Sequence, residues 1–356
     1  MNFTQIGGSN GLLGQAAYVN TVVNNGGTLY AATNNGVWAW DGSSWTQLGS
    51  SSGLTGFAAV VNDLVTSGGT LYAGTAGSGV WAWNGNSWYL VGGPNGLPVQ
   101  ATTVNCLLSS GGTIYAGTYN GVWAWNGNSW SLIDKSGGHS GWPSTIFLIN
   151  SMAVNGGTLY AGTSDGIWEW NGNSWAEIDN SSSNYLDTYD GILYAAIGDG
   201  VWSWDGNSWS QLGGSENGIL TAKKAVFFKL ANYDGILYAG TNIGVWSWDG
   251  NSWSHVGGLS GNITNTPSNA VYSGGTLYAW IYGNGVWATI QANTTITPAS
   301  GAVSGNSTLT TSGPSNVNDY TPLISPPMAT KSGLSPITLI VGFIGAVFFF
   351  RETRKK

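Results

Sequence analysis

Residues 113–132 read TIYAGTYNGVWAWNGNSWSL, and every part of the stretch is either a strand or a turn between strands. TIYAGT and VWAW have the two-residue alternation of strands, YNG separates them, and the Asn-Gly of NGNS turns the chain into SWSL. Residues 104–110, VNCLLSS, add an apolar run closed by Gly-Gly, so the unit holds four strands. Trp123 and Trp125 fall on one face of their strand. Trp125 and Trp130 flank the Asn-Gly turn, where they are expected to meet across the hairpin.

The unit recurs down the chain. Anchored on the Tyr of LYA or its variant, seven copies fall at Tyr30, Tyr72, Tyr115, Tyr160, Tyr194, Tyr238 and Tyr278, with intervals of 42, 43, 45, 34, 44 and 40. This period is that of four-stranded propeller blades. The seventh copy stops after GVWAT at Thr289 without a fourth strand, while the chain begins NFTQIGGSNGL, a match to SWTQLGSSSGL and SWSQLGGSENG. Residues 2–7 are therefore expected to complete the last blade and leave the ring no open edge, with Phe3 in the place that Trp45 fills elsewhere.

Composition agrees. A chain of 356 residues with 57 Gly, 21 Trp and only 7% charged residues suits short strands and tight turns, not a helical bundle. The net charge is −7, and the final RETRKK holds both arginines, so the rest of the chain is more acidic still. No basic surface exists to replace counterions on phosphates, which excludes nucleic acid as a partner. Cys106 is the one cysteine, so neither an intrachain disulfide nor a thiolate metal cluster can form, and no metal or cofactor is expected. Cys106 reads as a small buried hydrophobe.

The fold class is all-β: a seven-bladed β-propeller of four-stranded blades over residues 1–292, closed by the N-terminal strand. Residues 293–333 are Thr-, Ser-, Pro- and Gly-rich, which cannot offset the entropy of ordering, and read as a disordered stalk. Residues 334–350 include LIVGFIGAVFFF without a charge and read as one transmembrane helix, followed by the basic tail 351–356. The basic tail places the C-terminus in the cytoplasm and the propeller outside the cell membrane. The opening MNFTQIGGSN lacks the basic start and apolar run of a signal peptide, so either a leader was removed or lies outside this sequence, the favoured reading, or the chain inserts by its tail and the propeller faces the cytosol. Glycosylation sequons at Asn2, Asn180, Asn262, Asn293 and Asn306 are compatible with that side.

The LYAGT and GVW strings resemble those of Asp-box and two-component-regulator propeller repeats, and the split last blade resembles the closure of WD-repeat rings. The resemblance covers residues 2 to about 290. It implies the fold rather than an activity. Ser203, Asp205, Gly206 and Trp209 approach the Asp-box pattern with a spacing one residue short.

In such a ring the long connections from outer to inner strands share one face with the turns between second and third strands, and this loop face is the natural binding surface. It carries Tyr119, Lys135, His139, Trp142 and Tyr282 as candidate ligand-binding residues. Exposed rings beside amides and charged groups suit sugars, which offer apolar C–H faces and hydroxyls. Trp142 has the plainer reading of packing down its own loop, and the 18 tryptophans of the repeat read as core. Asn20, Asn62, Asn105, Asn150 and Asn184 open the inner strand of five blades. They could line the axial channel, or satisfy neighbouring backbone groups.

The catalytic inventory is thin. The propeller contains no Arg, so an arginine cluster for a substrate carboxylate cannot be built, and His139 and His255 are its histidines. Glu169, Glu177, Asp179, Asp187, Asp190 and Glu216 leave room for a two-carboxylate glycosidase. The sequence reads as a membrane-anchored extracellular binding or adhesion module with a glycan or cell-surface protein as partner. A structural envelope protein and an extracellular polysaccharide hydrolase or lyase are the alternatives.

Overall fold

The computed structural model describes residues 3–7, 11–49, 54–93, 96–133, 148–197, 200–212, 227–233, 235–241, 244–257, 269–273, 275–281 and 283–289. The stalk, the apolar segment 334–350 and the tail lie outside them. Among the described residues no helix is long and apolar enough to cross a membrane.

Seven antiparallel sheets of four strands each make the ring. Blade 1 runs through Val19–Asn25, Thr28–Thr33, Gly36–Trp40 and Trp45–Gln47, and blades 2 to 6 repeat it. Their inner strands are Val61–Ser67, Val104–Ser110, Ile149–Asn155, Ser183–Tyr189 and Phe227–Tyr233. Blade 7 is composite. Asn269–Ser273, Thr276–Ile281 and Gly285–Thr289 come from the end of the repeat, and Phe3–Gln5 supplies the outer strand, with Phe3 opposite Thr289 and Gln5 opposite Trp287. The equivalence reaches side-chain level: Gln5 Nε2 donates to Asn284 O at 3.0 Å, as Gln47 Nε2 does to Asn35 O at 2.9 Å in blade 1. Phe3 is fully buried.

The repeat motif has a physical reason at each position. The Thr ending the second strand is fully buried as Thr33, Thr75, Thr118, Thr163 and Thr241, and its hydroxyl donates to a Gly carbonyl across the turn, as from Thr118 to Gly121 at 2.9 Å. The same oxygen accepts the Asn120 N–H at 3.0 Å, so one side chain satisfies both sides of the turn. In the turn from third to fourth strand, the Asn or Asp side chain accepts two backbone N–H groups, as Asn126 does from Asn128 and Ser129. The tryptophans flanking that turn meet: the Trp125 and Trp130 rings are 5.6 Å apart, and five other blades hold the same pair. Trp88, Trp130, Trp175 and Trp253 each donate their indole N–H to the preceding blade, at 2.9 to 3.2 Å.

There is no single central core. Seven apolar clusters occupy the seven junctions between adjacent blades, such as Val22, Leu29, Trp45, Trp280 and Val286 between blades 7 and 1. Each sheet buries both faces against its neighbours, so the hydrophobic effect closes the ring as well as folding the blades.

Strand direction fixes which face is which. Asn34 N donates to Tyr18 O, Ala76 N to Val60 O and Gly79 N to Thr102 O, which ties second-to-third-strand turns to the long connections on the loop face. The third strand of blade 7 starts at this face and runs away from it, so the chain reaches Thr289, and its partner Phe3, at the opposite turn face.

Candidate functional site

Three successive connections on the loop face have one design. Leading into blades 1, 2 and 3, each buries a Leu and an Ala (Leu12 and Ala16, Leu54 and Ala58, Leu97 and Ala101) and lifts one apolar side chain outward. Leu13, Phe57 and Val99 are 68%, 78% and 88% exposed. Tyr119, on the second-to-third-strand turn of blade 3, joins them at 44% exposure. Lys135, His139, Trp142 and Tyr282 lie outside the described residues.

Asn20, Asn62 and Asn150 each reach the next blade: their Nδ2 groups donate to Val61 O at 2.7 Å, Val104 O at 2.9 Å and Ser183 O at 3.0 Å. At Asn105 the corresponding carbonyl, Ile149 O, instead faces the Cys106 thiol at 3.6 Å, and Asn105 Nδ2 has no partner among the described residues. Asn184 lies in the inner strand Ser183–Tyr189. Cys106 is buried, and burial, with Asp63 adding to it, holds its thiol well above the usual range.

The charged residues of the axis stand one and three positions further along the inner strands. Lys229 of blade 6 donates to Thr21 Oγ1 of blade 1 at 2.8 Å. Thr21 in turn hydrogen-bonds Asp63 of blade 2. Asp63 also accepts the Leu64 and Leu107 N–H groups, at 2.9 and 2.8 Å. The Lys229 ammonium lies 5.4 Å from the centroids of both the Tyr185 and Trp280 rings, within cation–π range. Asp187 of blade 5 accepts the Thr188 N–H at 2.8 Å and feels the charge of Lys229. Asp63, Asp187 and Lys229 are half-buried, with protein packed around them in the ring interior.

Burial dominates their titration. It pushes the Asp63 carboxyl up against the opposing pull of Lys229, and it pushes Asp187 up to about 7. It lowers Lys229, against the attraction of Asp63 and Asp187. Burial, reinforced by Asp187, Asp63 and Cys106, pushes the Tyr185 hydroxyl well up. Among the described residues, no group of three or more His, Cys, Asp or Glu could hold a metal ion.

Sequence reasoning reached Asp187 as one of several carboxylates but passed over Asp63 and Lys229. The signal was there once the inner strands are aligned. The third column reads Thr21, Asp63, Cys106, Ser151, Tyr185 and Lys229, and the fifth reads Val23, Val65, Leu108, Ala153, Asp187 and Ala231. Charge in a column of innermost strands places it at the axis. The exposed carboxylates Asp41, Asp205 and Asp249 do something else: backbone N–H groups of their own turns hold them below the usual range, Asp41 at about 2.

No protein-family model matches this chain, and no curated protein does. Solved structures do. The extracellular domain of a candidate one-component system from B. thetaiotaomicron superposes with a TM-score of 0.63 at 17% identity over 81% of this chain and 40% of its own. That of a candidate hybrid two-component system from the same organism gives 0.62 at 16%, over 81% and 41%. The WD40 β-propeller domain of Doa1 gives 0.59 at 13%, over 80% and 96%. The chain thus spans about two fifths of the length of these two extracellular domains. At these identities the likeness shows the propeller fold, whose structural neighbours include extracellular domains of one-component and two-component systems.

Proposed function

We propose that the protein is an extracellular binding module, held to a membrane by residues 334–350, that takes a carbohydrate on its loop face. The observation that carries this reading is polarity of placement. Leu13, Phe57, Val99 and Tyr119 stand exposed on the loop face, opposite the turn face on which Thr289 lies, so in this reading the stalk leaves from the face that does not bind. Beneath it, about 7 Å in by strand rise, lies the Lys229, Thr21 and Asp63 cluster, whose mixed donors and acceptors suit ligand hydroxyls. The one-component and two-component system domains it resembles in fold are themselves extracellular. Lys135, His139, Trp142 and Tyr282 complete the face in this reading.

The test is a glycan array probed with the full-length protein in detergent. Binding to a neutral glycan, lost in Tyr119→Ala and Trp142→Ala variants of unchanged melting temperature, is the expected result. Binding to none, or binding indifferent to both substitutions, contradicts it.

The hydrolase reading has one specific observation in its favour. Asp187 is pushed up to about 7 in the same axial cluster as Asp63, so it could hold a proton at neutral pH as a general acid must. Turnover of a polysaccharide panel, abolished by Asp187→Asn, would select it over the binding module.

A further inference from the structure

On the turn face, a cleft of about 560 Å³ opens between blades 3 and 4. Its walls include Ser110, Thr113 and Tyr115 from blade 3, Ile133 at the end of that blade's outer strand, and Trp170 and Asn171 from blade 4. Tyr115, Ile133 and Trp170 are only partly buried and rest on the apolar cluster that joins the two blades.

Larger side chains stand at equivalent places in other blades, and two small residues leave room here. The first is Ser110, last residue of the inner strand. Its counterpart Asn25 reaches across to Gly69 O at 3.1 Å, and Asn155 to Gly191 O at 2.8 Å. In blade 5 the counterpart is Tyr189, whose hydroxyl lies beside Gly235 of blade 6. A serine is too short to bridge. Blade 2 also has a serine there, Ser67, but carries Tyr89 on its outer strand. Tyr72, Ala82 and Tyr89 are successive cross-strand partners on one face, and the nearness of Tyr89 adds to the upward shift that burial gives the Tyr72 hydroxyl. In blade 3 the same row is Tyr115, Ala124 and Ser131. Blade 3 alone among the described blades combines a serine at both places.

The opening has a definite chemistry. None of its lining residues carries a charge, two rings flank it, and hydroxyl and amide side chains stand among them. Its volume falls in the roughly 300 to 1,000 Å³ range of small-ligand sites. An anion would meet no cation, and a cation no carboxylate. A pyranose meets the lining on both counts, offering C–H faces to rings and hydroxyls to hydroxyls and an amide.

We propose that the cleft between blades 3 and 4 is a second binding site, separate from the loop face, for an uncharged mono- or disaccharide. The substitutions that test it are ones the protein already tolerates elsewhere. Ser110→Asn copies blades 1 and 4, and Ser131→Tyr copies blade 2, so both should close the cleft without unfolding the ring. Isothermal titration of the full-length protein in detergent with cellobiose, maltose and chitobiose, each to about 10 mM, reads the outcome. Binding of at least one sugar, weakened tenfold or more in both Ser110→Asn and Ser131→Tyr, is expected. No binding by any of the three, or binding that survives both closures, overturns it. Binding that survives both closures but is lost in Tyr119→Ala assigns the sugar to the loop face.

Discussion

Lys229 of blade 6 donates to Thr21 of blade 1 at 2.8 Å, passing the ring of Trp280 in the intervening blade 7. Among the described residues Lys229 is the one Lys or Arg, and it lies at the axis, not on the surface. Through Thr21 it connects to Asp63, so a single relay crosses blades 6, 1 and 2. Replacing Lys229 by Met leaves Asp63 and Asp187 with no compensating charge and is expected to destabilise the propeller by about 3 to 5 kcal/mol. Chemical denaturation measures it. The loss should shrink when Asp63→Asn is added, since the pair then fails together.

The pH dependence follows from Asp187. Its folded value, about 7, lies above the ordinary 3.8, so the folded state holds this proton more tightly than the unfolded chain does. The stabilisation is complete below 3.8 and is lost as pH rises through about 7. Asp63 is raised too and acts with the same sign. Asp41, Asp205 and Asp249 act oppositely, since lowered carboxyls support the fold above their ordinary value and lose that support as pH falls through the folded one. Melting temperature should therefore be higher at pH 5 than at pH 8, and Asp187→Asn should flatten that difference. A melting temperature that rises from pH 5 to pH 8 contradicts the account.

Closure of the ring rests on a short strand. Phe3 is fully buried in the cluster between blades 6 and 7, so Phe3→Ala should cost about 3 to 5 kcal/mol. Deleting the first nine residues removes the whole strand and uncovers Gly285–Thr289 as an open edge. Loss of a cooperative melt and concentration-dependent aggregation, followed by light scattering, are the expected outcome. A truncated ring of full stability would show that the strand is dispensable.

The turn-capping threonines are separable from the axis. Thr118→Val keeps the shape of the side chain but strands the Gly121 carbonyl and the Asn120 N–H, both bonded to its hydroxyl. A loss of about 1 to 3 kcal/mol is expected, with no change in the slope of stability against pH.

The ring was legible in the sequence because its determinants are local and repeated. Two strand periods, an Asn-Gly turn and a fixed spacing specify a blade, and the match of NFTQIG to SWTQLG specifies how the last one closes, as the pairing of Phe3 with Thr289 bears out. The Trp125 and Trp130 contact could be read the same way, from strand alternation across a tight turn. The axial relay was hidden for the opposite reason. Lys229 and Thr21 are 208 residues apart, and each looks unremarked in its own strand. Only superposing the inner strands puts their columns on one axis. The cleft between blades 3 and 4 was less visible still, because it arises from what Ser110 and Ser131 lack relative to their counterparts. The five loop-face candidates were chosen by residue type and expected face, and of them Tyr119 falls among the described residues, with its side chain exposed.

Hydrogen–deuterium exchange with and without the glycan that gives the strongest array signal tests the central claim most directly. It should be run on the full-length Ser110→Asn protein, so that the cleft on the turn face is closed. Protection of residues 11–18, 54–60, 96–103 and 119–120, the loop-face segments around Leu13, Phe57, Val99 and Tyr119, is the predicted result. Protection confined to the turn-face segments 24–28, 66–70 and 154–158 would contradict it.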